Sequence, residues 1–281
     1  MRDNLKSMSS SVGLFLFFVI VTIIVLFPLY YLVIASLQPS SEVFRTGMKL
    51  VFDPEIMGLD NYKLLFTYRD GIYFSWFKNS VLIAGLFTIL SLFLSSFVGY
   101  GLGLYDFKFK NLIFTMVLLV MMVPLEILML PLYKLTVQFK IINTYAGVIL
   151  PFVVSPIAIF FFRQFASGIS EDYLDAGRID GCTEIGIYFR IMVPLMKPAF
   201  GAMTILLAMQ NWNSFVWPLI VLRTNEMFTL TIGLSSLIGP YGENFDVMIA
   251  GAVLAVIPVV IVFLFNQRFF IAGLTAGGVK G

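Results

Sequence analysis

Polarity along this chain comes in long blocks. Six runs are almost wholly apolar: Val12–Leu37, Asn79–Tyr105, Asn111–Tyr133, Ile141–Phe162, Pro198–Leu222 and Val247–Gln267. Glu126 is the one charged residue inside them. About 20 mostly apolar residues suffice for a helix to cross a hydrocarbon core of about 30 Å. Lipid offers no partner for free backbone N–H and C=O groups, so each run predicts a helix. The alternation of a membrane β-barrel is absent. The pattern predicts an all-α integral membrane protein with six transmembrane helices in a single domain, 1–281. Arg2 and Lys6 precede the first run, as in a secretion signal. Its 26 uncharged residues exceed the roughly 7–15 of a signal core, so it reads as a permanent span.

One stretch breaks the pattern in an ordered way. Between Arg163 and Lys197 nine charges fall in 35 residues: Arg163, Glu171, Asp172, Asp175, Arg178, Asp180, Glu184, Arg190 and Lys197. Ser170 is placed to cap a helix, with Glu171 and Asp172 favoured in its first turn by the dipole. Asp175 and Arg178 form an i,i+3 pair. Gly181 is poor in mid-helix and predicts a turn between two short helices. Leu174, Ile179, Ile185, Tyr188 and Phe189 offer apolar contacts. Ala176, Gly177 and Gly181 are small enough for another backbone to come close. Pro194 and Pro198 are expected to close this polar hook and open the fifth span. A solvated loop lying on the membrane would account for the charge, but not for the small residues or the proline-closed end.

Composition narrows the picture. The chain is 59% hydrophobic and 12% charged, against about 25% charged in soluble domains. A net charge of +2 gives no reason to expect nucleic acid as a partner. With no histidine and one cysteine, Cys182, histidine catalysis and an internal disulfide are excluded, and a metal site is not expected. No G-x-x-x-x-G-K-[ST] loop is present, and no nucleophile–base constellation is visible, so the chain is not expected to be an enzyme.

The hook has a recognisable spacing. Asp175-Ala176-Gly177, three residues, Gly181, nine residues and Ile191-Met192-Val193-Pro194 resemble the EAA loop of permease subunits in binding-protein-dependent ABC importers. That pattern is E-A-A, three residues, G, nine residues, I-x-L-P. Asp175, Gly177 and Val193 depart from it by small changes, and every interval matches. The segment Asn211-Trp212-Asn213-Ser214-Phe215-Val216-Trp217-Pro218-Leu219 looks like the fifth span of sugar importers. Gly273–Gly281 is similar to the tail of the second permease of maltose-type importers. The likeness leans toward oligosaccharide permeases such as those for arabino-oligosaccharides.

The resemblance implies a type I ABC importer transmembrane domain whose loop 163–197 is a cytoplasmic coupling helix. Asp175, Ala176, Gly177, Asp180, Gly181 and Pro194 would carry ATPase coupling. It implies a second homologous permease, a cytoplasmic ATPase dimer and an extracytoplasmic sugar-binding protein as partners. ATP and Mg²⁺ would sit on the ATPase, with no cofactor on this chain. It also implies a bacterial inner membrane location with both termini cytoplasmic. Charge bias alone gives ten positives inside against eight outside, a weak preference for that orientation.

Asn211, Trp212, Asn213 and Trp217 offer aromatic faces and amides to a sugar. Trp217 reads rather as an interfacial anchor, since interfacial tryptophan is common, while an amide in lipid needs a partner. Glu126 reads either as a sugar-hydroxyl ligand or as a structural bond to backbone N–H groups freed near Pro124 and Pro131. The loops Gln38–Lys78 and Arg223–Asp246, the second with Gly239-Pro240-Tyr241-Gly242, would face outward and either receive a partner or cap the bundle. The competing class is an ion-coupled secondary transporter, which would place several carboxylates in its spans. A permease for another solute, such as a glycerol phosphate ester, is the nearer alternative.

Overall fold

A computed structural model describes residues 2–47, 49–238 and 244–276. The turn Gly239–Gly242 and the tail from Gly277 to Gly281 lie outside the described residues. Among the described residues every regular element is helical. The chain divides into two compact units, Met1–Tyr73 with Leu234–Val256, and Phe74–Gly233 with Ile257–Gly281.

The first unit contains α1 (Arg2–Ser36), α2 (Ser40–Thr46) and α3 (Asp60–Thr67). From Ser11 to Ser36, α1 is apolar on every face, and Phe15, Ile23 and Ile24 are all exposed. A helix apolar all round belongs in lipid or in a core. The loop after it is built, not slack. Asn61 Nδ2 donates to the carbonyls of Ser36 (3.0 Å) and Gln38 (2.7 Å), and Ser36 Oγ pairs with Tyr62 Oη at 2.7 Å. Within this unit Tyr73 Oη also donates to Gly251 O at 3.1 Å.

The second unit holds the hook end. Here α4 (Ile72–Leu104) begins seven residues before the expected span, because Ile72–Lys78 is already helical. The third expected span, 111–133, is not one helix. It is α5 (Lys110–Met121) and α6 (Leu125–Gln138), bent by 102°. Pro124 has no N–H and disfavours helix in the residue before it, so the break falls there. Pro131 sits inside α6 without stopping it. The fourth span is α7 (Tyr145–Ile149) and α8 (Pro156–Ala166), with a 46° bend. Thr144 and Ser155 cap these two starts, accepting from Gly147 N (3.2 Å) and Ala158 N (3.4 Å).

Gly99 and Gly103, one helical turn apart on α4, let α8 in. A Cβ on Gly99 would lie 2.6 Å from Phe162 Cβ, and one on Gly103 would lie 2.9 Å from Ala166 Cβ. This is the small-x-x-x-small contact that lets membrane helices approach closely.

The hook comprises α9 (Asp172–Ile179) and α10 (Glu184–Leu195), the latter with a π-turn at Tyr188–Met192. Then come α11 (Lys197–Trp212), α12 (Val216–Val221), α13 (Leu230–Ser236) and α14 (Phe245–Ala276). The fifth expected span, 198–222, is therefore α11 and α12 with a break at Asn213–Phe215. The bend into α11 is 79°. It falls at Met196, whose φ/ψ is −86/9. Pro194 lies inside α10 and does not end it, which corrects the expectation that Pro194 closes the hook. The first and sixth spans run longer than expected, as α1 and α14, while Ser11–Ser36 and Phe245–Phe269 are their apolar stretches.

Candidate functional site

The hook turns where the sequence says. Gly181 has φ +77°, a conformation costly for any residue with a Cβ. Ser170 acts slightly off register: its Oγ accepts from Asp172 N at 3.3 Å and donates to Asp172 Oδ2 at 2.7 Å. Thr183 Oγ1 caps the second helix through Gly186 N at 3.1 Å.

Its small residues divide into two roles. Gly177 is buried, and a Cβ there would lie 2.8 Å from Ile191 Cδ1 and 3.0 Å from Ile187 Cγ1. Gly177 is therefore small so that α10 can pack on α9, not so that a foreign backbone can. Ala176, Asp175, Asp180 and Gly181 stay exposed. Of the apolar residues, Leu174 and Tyr188 are buried, as expected. Ile179, Ile185 and Phe189 are not: Ile179 is 86% exposed, and Tyr173 and Ile185 stand out with it.

A hydrogen-bonded chain ties this exposed surface to the bundle. Arg178 donates from Nη1 to Asp175 Oδ1 and from Nε to Glu184 Oε1, both at 2.9 Å. Tyr105 Oη, just past the end of α4, donates to Glu184 and meets Tyr100 Oη at 2.7 Å. The Tyr100 ring lies 5.3 Å from that of Tyr188, whose Oη pairs with Ser96 Oγ at 2.7 Å in the buried part of α4. The Arg178 hydrogen bond, and after it that of Tyr105, holds the Glu184 carboxyl below its ordinary value. Glu184, and after it Asp175, raises Arg178 in turn. The ionic groups are well exposed, so their worth is in orientation more than in stability.

Sequence reasoning missed Tyr100, Tyr105, Glu184 and Ser96 as one unit. Glu184 six residues after Arg178 is a weak signal by itself. The tyrosines lie some 80 positions away and are joined only by folding.

The fifth-span segment is a different case. Trp217 is 3% exposed, donates from Nε1 to Gly147 O at 3.2 Å and sits edge-on to Phe152. It is packed and not an interfacial anchor, and it also borders the larger of two cavities here. Trp212 is buried and packs edge-on to Phe77 at 5.9 Å. Its ring also borders an apolar cavity of about 270 Å³. Asn213 is exposed and turns back on its own helix, donating to Met209 O at 2.9 Å. Asn211 does face a space. With Gln210, Ser214, Phe87 and Trp217 it lines a cavity of about 470 Å³. Gln210 and Ser214 were overlooked, although an amide pair ending an apolar run is a readable signal. Glu126 is exposed in the first turn of α6, against the positive end of its dipole. It is not on the wall of either cavity.

Among the described residues no cluster of His, Cys, Asp or Glu could hold a metal ion.

Comparison with known proteins adds the following. A family described as "Binding-protein-dependent transport system inner membrane component" matches residues 95–275. The chain is 60% identical over 271 residues to the arabinooligosaccharides transport system permease protein AraQ of Bacillus subtilis (strain 168), covering 96% of each. It is 36% identical to the lactose transport system permease protein LacG of Rhizobium radiobacter, covering 91% of each. Among solved structures, a bacterial ABC transporter that imports the acidic polysaccharide alginate contains a chain with TM-score 0.77 and 19% identity, covering 96% of this chain and 98% of that one. The alginate transporter in complex with its pentasaccharide-bound periplasmic protein gives 0.64 at 15% identity, with 94% and 95% covered.

Proposed function

This chain belongs to the family of binding-protein-dependent transport system inner membrane components, and from that premise we propose that it is the oligosaccharide-conducting permease of an ATP-driven importer. One observation carries the sugar class: 60% identity, over nearly the whole length, to a permease for arabinooligosaccharides. The chain acts as one transmembrane domain beside a second, homologous permease. ATP and Mg²⁺ belong to a separate ATPase dimer on the cytoplasmic side. An extracytoplasmic binding protein delivers the sugar, a reading supported by the alginate transporter, which has been crystallised with its own periplasmic protein.

Mechanically, the exposed face of the hook docks on the ATPase. Ile179, Tyr173 and Ile185 supply apolar surface, with Asp175, Ala176 and Asp180 around them. Gly177 and Gly181 act from behind: the first keeps the two hook helices tight and the second makes the turn. Motion of the ATPase reaches the bundle through the Arg178–Glu184–Tyr105–Tyr100 chain and the buried Tyr188–Ser96 pair. Docking on the ATPase puts the hook, and with it both termini, inside. Sugar passes along the wall that carries Gln210, Asn211 and Ser214, where amides and a hydroxyl can replace water around sugar hydroxyls.

The test is purification of the tagged chain from its host, followed by uptake in reconstituted vesicles. A second permease and an ATPase in the complex, with ATP-dependent uptake of pentose oligosaccharides, is the expected result. Uptake of sn-glycerol 3-phosphate in their place would overturn the sugar class. Purification alone, with uptake driven by an ion gradient, would overturn the importer.

A further inference from the structure

Near the hook lies a polar cavity of about 610 Å³ lined by Asp106, Phe107, Phe109, Lys110, Asn111, Leu112 and Arg163. Arg163 is the unusual member. Its guanidinium lies 3.6 Å from the centroid of the Phe114 ring, which stacks on Phe160 at 6.1 Å. Its Nε is buried and has no hydrogen-bond partner. A buried donor left unpaired costs on the order of 1–3 kcal/mol, so a partner is wanted. The backbone of Arg163 is fixed as well: the carbonyl and amide there face Gly103 and Gly99 of α4, where α8 comes close. The cation is thus held from two sides while its own donor goes unused.

Charge says what would fit. Lys110 has a side chain only 19% exposed and pairs with Asp106 at 3.1 Å. Asp106 is almost fully exposed, so this pair is screened and weak. Two cations and one carboxylate leave about one positive charge. The opening turn of α5 adds the N–H groups of Asn111 and Leu112, with no side-chain cap over them, while that of Lys110 already donates to Phe107 O at 3.2 Å. Guanidinium, ammonium and amides together suit a phosphate ester, and a single net charge suits a phosphodiester.

The surroundings say where the ester comes from. From the cavity α5 runs away with Leu112, Ile113, Met116 and Leu119 exposed on an apolar surface. A free anion would gain nothing from that surface, whereas acyl chains would cover it. We propose that Arg163, Lys110 and the first turn of α5 bind the phosphodiester of an anionic phospholipid, with its chains along α5. Basic pockets between spans at a membrane face are the known setting for such headgroups. Tyr105, next to Asp106, bonds to Glu184 of the hook, so the lipid sits at the hook end of the bundle. Only its assignment to the cytoplasmic leaflet rests on the function proposed above.

The experiment uses the assembled importer in nanodiscs of phosphatidylcholine with or without phosphatidylglycerol, and counts retained lipid by native mass spectrometry. Phosphatidylglycerol should be retained over phosphatidylcholine, and Arg163→Ala should weaken that retention about tenfold, the scale of one charge-assisted bond. Asp106→Asn, at an exposed position that folding does not need, should strengthen it a few-fold. Equal retention of the two lipids, or indifference to both substitutions, overturns the proposal. Complete displacement by inorganic phosphate would make the occupant a free anion, and a cross-linker at position 163 that captures the second permease would make this face a subunit interface. Either result also overturns the lipid. None of these results depends on which solute is carried.

Discussion

The hook and the Asn211–Trp217 segment attracted attention for the same reason, a cluster of distinctive residues inside an apolar chain, yet folding used them in opposite ways. In the hook Asp175, Ala176 and Asp180 remain on the surface, joined by Ile179 and Ile185, which look like core residues in sequence. In the fifth-span segment both tryptophans are buried, each at the wall of a cavity, and Asn211 shares its space with Trp217 and with Gln210 and Ser214. The difference lies in the solvent. Outside the membrane a charged segment declares its surface, because burying charge is costly. Inside it, lipid, lumen and core all accept an aromatic ring, so ring identity does not choose among them.

That contrast can be broken, beginning with its largest effect. Trp217→Ala should cost about 3–5 kcal/mol, the usual price of emptying a packed aromatic site. Thermal unfolding in detergent measures it, and a variant of full stability with altered sugar preference would make Trp217 a wall of the transport path and not a packing residue. Gly177→Leu should cost about 1–3 kcal/mol by overpacking against Ile187 and Ile191. An unchanged melting curve with lost ATPase binding would mean that Gly177 faces outward after all.

Glu184→Gln should change stability by less than about 1 kcal/mol, since the pair is exposed. The ratio of ATP hydrolysed to sugar moved should nevertheless rise, because the link from Arg178 to Tyr105 is loosened. Acid should act in the same direction. The folded carboxyl of Glu184 titrates below its ordinary value, so its contribution is complete above the ordinary carboxylate range. It is lost as pH falls through the lowered value, and Glu184→Gln should remove that acid-dependent step. Finally, Ile179→Ser should leave stability within about 0.5 kcal/mol while reducing uptake and ATPase retention, both read from the purified complex. Normal uptake would leave the exposed apolar face of the hook without a partner.

Much of the fold was legible from sequence because lipid imposes a simple rule: apolar runs of sufficient length must be helical. The positions of the runs, the hook between them, the turn at Gly181 and the Asp175–Arg178 pair all follow from local chemistry. The breaks were only half legible. Pro124 stops a helix and Pro131 does not, although both are prolines in one apolar run. The lost N–H bond at Pro131 is tolerated within α6, and no pattern of sequence states that in advance.

What the sequence determined alone was composition-level and local: a helical membrane protein, six apolar runs and a polar hook of defined spacing. Tertiary structure decided which side of each helix is used. Gly99 and Gly103 bring α8 against α4, Gly177 brings α10 against α9, and Tyr105 reaches Glu184 from 79 positions away. Helical periodicity gives every residue an angle around its own axis, but only packing against other helices says what lies at that angle.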